Sequence, residues 1–270
     1  CFSLPSWSFD TTVVHGGPGL DHAYRRPGLH ALATRNTLVY YDQRGTGRSA
    51  AELTATSINL DAFVQDIDAL RQVLGYPRVS VLGHSFGALI AIEYARRHPD
   101  ETRALILMNP VEPGSRFADA TAQRQRERRT VADGEEMRAL TQSEAFEARD
   151  PATLSQVYRV SFRQLLRDRA LIDELELDLA TETARNGQDV AALLGGSMGT
   201  VDWWDRLGAI DTPTLVLQGR YDAPPLEMGR ALAEAFPRGA YEVLDTGHFP
   251  YVEDREALLS AVSGFFATIR

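Results

Sequence analysis

The sequence has no lysine, a single cysteine and no long apolar run. The last two shortages exclude certain kinds of site and of protein. All 28 basic side chains are arginines, which calls for no guanidinium-specific function because genomic base composition can produce the same bias. Cys1 has no second cysteine with which to form an internal disulfide or a cysteine metal site. No apolar run approaches the roughly 20 residues that span a bilayer, so we expect no membrane-embedded part.

The net charge and the first ten residues limit the expected binding partners and the expected cellular compartment. The formal net charge is −9, whereas nucleic-acid binding favours clustered basic surface, so we expect no nucleic-acid partner. Residues 1–10 lack the basic start and apolar stretch of a signal peptide. The scarcity of cysteine fits a reducing compartment. These observations favour a cytoplasmic protein.

Strand and helix patterns alternate along most of the chain. A length of 270 residues with 44% hydrophobic content suits one large α/β domain or a core domain with an insertion. Six short apolar runs predict strands, and they are continuous rather than alternating, as in parallel strands buried on both faces. The runs are TTVV (11–14), TLVYYD (37–42), RVSVLG (78–83), RALILMN (103–109), TPTLVLQG (212–219) and AYEVLD (240–245).

Helical spacing of apolar residues lies between these runs. INLDAFVQDIDALRQVLG ends at Gly75, which is a helix C-cap signal. FGALIAIEYARRHP ends in basic residues that suit the negative end of the helix dipole, and Pro99 stops it. EDREALLSAVSGFFATIR predicts an amphipathic closing helix. The alternation predicts an α/β fold with a mostly parallel sheet and helices on both faces.

The alternation stops between about residues 111 and 205, where no run has the pattern of a strand. DPATLSQVYRVSFRQLLRD has helical spacing, and the mixed charges of QRQRERR indicate a solvated face. We therefore expect an α/β core from residues 1–110 and 206–270, with residues 111–205 inserted as a helical cap over the sheet.

GHSFG (83–87) follows the strand run RVSVL and opens the helical run FGALIAIEYA. This is the G-x-S-x-G pattern in the strand–turn–helix context that gives it meaning. The sharp turn strains the backbone of Ser85, and Gly83 and Gly87 remove side chains that would collide there. Ser85 is the predicted nucleophile, presented above the C-terminal edge of the sheet.

A serine hydroxyl needs a base, and the base needs an orienting carboxylate. On this type of sheet the acid precedes the histidine in the chain, and each follows a strand. Asp222 follows TLVLQ, His248 follows YEVLD, and no other histidine lies downstream of Asp222. We predict that His248 takes the proton from Ser85 and that Asp222 orients its ring. Asp245 is a rival orienter, which we interpret as a strand-end or turn residue.

Two backbone amides complete the predicted site. Acyl transfer places negative charge on a carbonyl oxygen, which preorganised N–H donors must stabilise. One donor is predicted at Phe86, directly after the nucleophile. The other is predicted in the loop HGGPG (15–19), where Gly17 lets the backbone approach the substrate. We interpret the side chains of His15 and His84 as structural.

These features together resemble an α/β-hydrolase over nearly the whole chain. HGGPG at 15–19 and DQRGTGRS at 42–49 are similar to the signature of the proline iminopeptidase family, which carries its cap where this chain has NP at 109–110. The resemblance implies a serine peptidase that removes an N-terminal residue, often proline, from a short-peptide substrate, with no metal and no organic cofactor. It also implies these site residues: Ser85, Asp222 and His248 as triad, Gly17 and Phe86 as oxyanion hole.

Other activities stay open at this point. GHSFG is common in esterases, so a carboxylesterase or a lactonase acting on a small molecule is the main alternative, and a non-catalytic small-ligand receptor is another. DQRGTGRS also occurs in relatives with other activities as a rigid turn, so Asp42 and Arg44 are interpreted as structural.

The substrate-binding residues are predicted on weaker signals. Members of the family hold the free amine of the substrate with acidic cap residues, for which the candidates are Glu174, Glu176 and Glu182. Aromatic residues near the cap junction or beside the histidine can line a pocket, and the candidates are Trp203, Trp204 and Phe249. Packing at the junction is the other interpretation of the two tryptophans.

Overall fold

The computed structural model describes residues 10–34, 37–198 and 202–269. Its centre is a six-stranded sheet with the order β2-β1-β3-β4-β5-β6, and every pair of neighbouring strands is parallel. The strands are β1 Thr11–Val14, β2 Leu38–Tyr40, β3 Val79–His84, β4 Thr102–Met108, β5 Thr214–Gly219 and β6 Gly239–Leu244. All six predicted strands are confirmed.

Helices connect the strands and cover the sheet. Those with α-helical geometry are α1 Arg26–Leu29, α2 Leu60–Val73, α3 Gly87–Arg97, α4 Ala118–Arg128, α5 Val131–Thr141, α6 Glu144–Glu147, α7 Pro151–Arg163, α8 Thr181–Met198, α9 Trp204–Leu207, α10 Leu226–Ala235, α11 Pro250–Glu253 and α12 Arg255–Thr268. Short 3-10 helices span Ala23–Arg25, His30–Thr34 and Arg169–Glu174. Among the helices of the described ranges, none is long and apolar enough to cross a membrane.

Alternation along β4 divides the core between the two faces of the sheet. Leu105 and Leu107 join an apolar cluster with residues of α2, α3 and α10. Ala104, Ile106 and Met108 join a second cluster with residues of α1, α11 and α12. Successive side chains of a strand point to opposite faces, so one buried strand supplies both clusters. The predicted α/β architecture with helices on both faces is confirmed.

The outer strand β6 is less buried than its apolar run predicts. Its continuous apolar run predicts burial on both faces, but Gly239, Ala240 and Glu242 are exposed. Among the described strands β6 pairs with β5 alone, so it lies at the margin of the sheet where less covers it. By contrast, every residue of β3 is buried, because β3 lies between β1 and β4.

Between β4 and β5, the described residues form helices joined by loops, with no strand among them. Helix α8 connects this segment to the core through Thr183, whose hydroxyl donates to Asp21 at 2.6 Å and accepts from the amide of Gly47 at 2.9 Å. One turn later, the backbone of Gly187 lies against the backbone of Gly19. A side chain at either glycine would collide with the other chain segment, so both positions require glycine.

Candidate active site

The turn between β3 and α3 places Ser85 in a left-handed backbone conformation, with φ of 55°. A Cβ at Gly83 would lie 2.7 Å from the Cα of Ala88, and one at Gly87 would lie 2.5 Å from the carbonyl oxygen of Val14. Both glycines are therefore needed for the turn to pack, as the sequence predicts. The amide of Ser85 donates to the Met108 carbonyl at 3.0 Å, which ties the turn to the end of β4.

Asp222 and His248 lie beyond the ends of β5 and β6 and form a buried pair. The Nδ1 of His248 donates to Oδ2 of Asp222 at 2.8 Å. The other oxygen, Oδ1, accepts from the amide of Ala223 at 2.7 Å. Only 1% of Asp222 is exposed. The rival Asp245 instead forms ion pairs with arginines at the surface, where its side chain is 54% exposed, in agreement with its interpretation as a strand-end residue.

Ser85, His248 and Asp222 border one cavity of about 370 Å³. This volume lies within the range of small-molecule sites, near its lower end. Residues of helix α4, including Ala118 and Thr121, also line the cavity. In the described chain, no hydrogen bond joins the Ser85 hydroxyl to the His248 ring. Catalytic hydrogen bonds often tighten only when substrate is bound.

The backbone around His248 is held from several directions. Its amide donates to the Leu165 carbonyl at 2.9 Å, and its carbonyl accepts from Nε2 of His84 at 2.9 Å. The amides of the two flanking residues, Gly247 and Phe249, both donate to the carboxylate of Glu253, at 2.9 and 3.1 Å. His84 therefore supports the histidine loop from below, consistent with a structural role.

Glu253 is a buried carboxyl that the sequence patterns did not single out. Burial raises its pKa, and the negative charge of Asp222 adds to that effect, while the backbone amides that donate to Glu253 lower it. Its acceptance of hydrogen bonds from both neighbours of His248 explains why a carboxylate is retained there. A glutamate five positions after a predicted catalytic histidine was the only available signal, and it is too common to carry an inference.

The HGGPG loop lies directly beside the nucleophile turn. A Cβ at Gly16 would lie 3.0 Å from the Cβ of Ser85, and the amide of Gly16 donates to the Tyr24 hydroxyl at 3.1 Å. Gly17 follows with φ of 128° and is exposed. Within the described ranges, the amides of Gly17 and Phe86 have no hydrogen-bond partner, so both remain available as donors.

His15, Gln43 and Arg44 in the two motifs are held by hydrogen bonds to other parts of the chain. Nε2 of His15 accepts from the amide of Gln43 at 2.9 Å, so Nδ1 carries the proton and donates to the Gly16 carbonyl. Arg44 donates to both oxygens of Asp66, at 2.8 and 2.6 Å. These contacts connect the HGGPG loop to the DQRGTGRS turn and that turn to helix α2.

Asp42 is the carboxylate around which the DQRGTGRS turn folds. It accepts from Nδ1 of His22 at 2.6 Å and from the amide of Arg48 at 2.9 Å. Burial alone would raise the pKa of Asp42, but these hydrogen bonds outweigh burial and hold it at about 2. A Cβ at Gly47 would collide with the Asp42 carboxyl, which explains the second glycine of the motif.

None of the six predicted substrate-binding residues borders this cavity. Phe249 is fully buried, with its ring centroid 5.1 Å from that of Phe162, because the chain turns inward after His248. Trp203 and Trp204 are buried in the apolar core cluster, and Trp204 also contacts Phe117. Their packing interpretation therefore describes the structure better than the pocket-lining one.

The acidic candidates are also placed elsewhere. Glu174 and Glu176 are exposed, and Glu182 is exposed and paired with Arg185 at 3.0 Å. The acidic side chain that borders the cavity next to Ser85 and His248, besides Asp222, is Glu112. Sequence reasoning missed it because Glu112 lies just after β4, in a stretch without a readable local pattern. No cluster of three or more His, Cys, Asp or Glu in the described ranges could hold a metal ion.

Known proteins are similar to this chain in sequence and in fold. A proline iminopeptidase of Heyndrickxia coagulans is 26% identical over 265 residues, covering 95% of this chain and 90% of the relative. The solved structure of a proline iminopeptidase from Mycobacterium smegmatis has a TM-score of 0.71 at 23% identity, covering 99% of this chain and 92% of that one. A thermophilic esterase from Thermogutta terrifontis also has a TM-score of 0.71 at 23% identity, covering 97% and 90%.

One family model matches most of the chain. It is described as the alpha/beta hydrolase fold, and it matches residues 13–255. The resemblance inferred from HGGPG, DQRGTGRS and GHSFG is therefore confirmed at the level of the family. The chain belongs to the alpha/beta hydrolase fold family.

Proposed function

We propose that this protein is a serine hydrolase that works through an acyl-enzyme on Ser85. The observation that carries the proposal is that a serine on a left-handed strand-to-helix turn and a buried histidine–carboxylate pair border one cavity. Such a serine is activated when an oriented imidazole removes its proton. In this proposal His248 is the base, and Asp222 holds the tautomer that leaves Nε2 free to accept.

The proposed reaction has two stages, acylation of Ser85 and hydrolysis of the acyl-enzyme. Oγ of Ser85 bonds to the substrate carbonyl carbon while its proton passes to Nε2 of His248, and the carbonyl oxygen takes up negative charge. The amides of Gly17 and Phe86 donate to that oxygen. The bond to the leaving group then breaks as Nε2 returns the proton to it. A water molecule then attacks the acyl carbonyl carbon as its proton passes to Nε2 of His248, and the bond to Oγ breaks as Nε2 returns that proton to Ser85, which releases the carboxylic acid.

We further propose that residues 111–205 act as a cap and that residues 1–110 and 206–270 form the core. The support is that α4 supplies part of the cavity wall, through Ala118, Thr121 and Ala122. A wall built from inserted helices sets the shape of the pocket without altering the sheet that holds the reacting groups.

An aminopeptidase of the proline iminopeptidase kind is the activity that we propose first. Oε2 of Glu112 accepts from the amide of Phe117 at 3.0 Å, whereas Oε1 is buried and has no partner within the described ranges. No lysine or arginine lies among the described residues that line the cavity. The cationic amine of an aminoacyl substrate would balance the Glu112 charge, since such pairs are strong when they are desolvated. Relatives that carry the name proline iminopeptidase support the same assignment.

A carboxylesterase is the second candidate, and two observations favour it. Part of the cavity is lined by small apolar side chains, which suits an uncharged acyl group. These are Pro110, Val111, Ala118 and Ala122. The esterase from Thermogutta terrifontis shares the fold. The two candidates differ in whether a positive charge on the substrate is needed.

A panel of proline arylamide, other aminoacyl arylamides and short acyl esters separates the two candidates. We expect turnover of arylamides by wild type and none by Ser85→Ala, with fluorophosphonate labelling lost in the same variant. Glu112→Gln should lower kcat/KM for aminoacyl arylamides about 10- to 100-fold, as for a lost charge-assisted contact, and leave ester turnover unchanged. The matched control is Glu135→Gln, at an exposed glutamate of α5.

Two results would count against these assignments. Turnover of esters with no arylamide activity would replace the aminopeptidase by the esterase. Equal labelling of wild type and Ser85→Ala would remove the serine hydrolase mechanism itself.

A further inference from the structure

Asn109 occupies the end of β4 and contacts both loops that carry the proposed acid and base. Its backbone is left-handed, with φ of 46°, and its side chain is fully buried. Its own amide donates to the Leu217 carbonyl of β5 at 2.8 Å. From this fixed position Nδ2 donates to Oδ2 of Asp222 at 2.7 Å and to the Gly247 carbonyl at 3.0 Å.

The surrounding acceptors determine which way the amide group points. Both partners of Nδ2 are acceptors, and a flipped amide would bring Oδ1 against a carboxylate oxygen and a carbonyl oxygen. Oδ1 itself is buried and has no partner in the described chain. Leaving an amide oxygen unpaired is unfavourable, so a residue retained only to fill space would be apolar. The two donated hydrogen bonds are what this asparagine contributes.

The same carboxylate oxygen serves two donors. Oδ2 of Asp222 accepts from Nδ2 of Asn109 and from Nδ1 of His248. A donor on a carboxylate stabilises its ionised form and withdraws part of its charge from other partners. The bond to Gly247 also sets the spacing between the acid and the residue just before the histidine.

We propose that Asn109 is a positioning residue that holds Asp222 aligned on His248 and that shares the charge of Asp222 with the imidazole. This inference rests on the proposed function, because it assigns Asn109 a role in the same reaction. Without its donor, the full charge of Asp222 faces His248 and stabilises the imidazolium relative to the neutral ring.

Other charged groups also face this pair, and they stay constant in the variants. Arg124 of α4 donates to the Asp222 carbonyl at 2.9 Å, and Arg128 of the same helix interacts with the Asp222 charge. Glu253 of α11 lies under the histidine loop, and His84 of β3 lies beside it, with 4.8 Å between the two imidazole centroids. Glu112 borders the cavity on the other side.

The test is the pH dependence of fluorophosphonate labelling of Ser85, which needs no knowledge of the substrate. Asn109→Asp keeps the shape and tolerates the left-handed backbone, but it replaces a donor by a carboxylate next to Asp222. Asn109→Gly also suits the backbone and removes the donor outright. We expect the acid limb of the labelling profile to move up by about one pH unit in N109D and by less in N109G. We also expect labelling at neutral pH to fall about tenfold in each variant.

Two controls separate this inference from the proposed function. Asn59→Asp makes the same change at the N-cap of α2, where aspartate caps as well as asparagine, and its profile should match wild type. Thermal unfolding identifies a variant that fails to fold, and if N109D fails then N109G provides the profile.

Each outcome has one meaning. An upward shift of the acid limb supports the positioning role. A slower rate with an unshifted limb reveals a merely structural residue and overturns the role, as does a profile identical to wild type. A wild-type protein that is not labelled overturns the proposed function, and this inference falls with it.

Discussion

Helices α3 and α4 have the same length and opposite relations to the rest of the molecule. Each has eleven residues, but nine are buried in α3 and none in α4. Helix α3 starts at the nucleophile turn and packs into the core cluster, whereas α4 forms one wall of the cavity. The comparison separates a scaffold held by apolar packing from a wall held mainly by polar contacts.

The polar contacts of α4 are directed at the loops that carry the proposed catalytic groups. Arg124 donates to the carbonyls of Arg220 and Asp222, at 3.3 and 2.9 Å. One turn later, Arg128 donates to the carbonyls of Gln164 and Leu166. A hydrogen bond of this kind contributes about 0.5–1.5 kcal/mol net, and a buried aliphatic side chain contributes about 1.5–3 kcal/mol. The wall can therefore change its sequence at a smaller cost in stability than the scaffold.

The largest expected effect is on the scaffold helix. Ile90 of α3 is fully buried, so Ile90→Ala should lower the free energy of unfolding by about 3 kcal/mol through lost burial and a cavity. Val131→Ala in α5 makes a similar deletion at a side chain that is 79% exposed and should change it by less than about 0.5 kcal/mol. Urea unfolding of both variants measures the difference. Equal losses would mean that the helical segment is held by apolar packing after all.

Acid should lower the stability of the α/β core and of the helical segment over the same pH range. Asp42 in the core and Asp133 in α5 each have a pKa of about 2, below the ordinary 3.8. Burial would raise both values, but hydrogen bonds outweigh it, from His22 to Asp42 and from Arg169 to Asp133. Since the folded-state pKa is the lower one, each carboxylate stabilises the fold fully above pH 3.8 and loses that contribution as the pH falls towards 2. The loss is about 2 kcal/mol per group.

Urea unfolding between about pH 6 and 2.5 measures this loss. Asp42→Asn and Asp133→Asn should each lower the free energy of unfolding at neutral pH and flatten its fall in acid. A wild-type free energy that stays constant across the window would contradict the assignment of these two carboxylates.

The contact between the helical segment and the HGGPG loop should be sensitive to a single methyl group. In Gly187→Ala the new Cβ would collide with the backbone of Gly19, at a cost of about 1–2 kcal/mol. Because Gly19 follows the proposed donor Gly17, the rate of fluorophosphonate labelling should fall as well. Gly196→Ala adds the same methyl to α8 where nothing lies within 4 Å, and should stabilise by about 0.5 kcal/mol. Equal effects of the two substitutions would show that the collision is relieved without consequence.

The smallest expected effect concerns the wall helix itself. Arg124→Gln removes the contacts with the Asp222 loop and should cost less than about 1 kcal/mol of stability, while raising KM a few-fold because the wall loosens. Arg126→Gln, at an exposed position of the same helix, is the matched control and should leave KM unchanged. Steady-state kinetics on the best substrate of the panel measures KM for both variants. An unchanged KM in both would mean that α4 is held by other contacts.

Strand positions were predictable because parallel strands require continuous apolar runs, and the order of Ser85, Asp222 and His248 followed from the strand ends. Chain order did not separate Asp222 from Asp245, because both precede His248, and the contact of Asp222 with His248 in the fold made the distinction. The cavity lining was not readable. Phe249 and the two tryptophans carry the same apolar signal whether they face a pocket or the core, so only packing could distinguish the two.

Local sequence therefore determined the sheet, the nucleophile turn and the glycine loop, because each depends on backbone conformation and on the period of apolar residues. Tertiary structure alone decided which polar groups meet. Asn109, Glu112 and Glu253 lie in unremarkable sequence, yet they face Asp222, the cavity and the loop of His248. Their roles come from contacts between residues distant in the chain or held together by a folded loop, and the strength of such contacts depends on burial that no local pattern encodes.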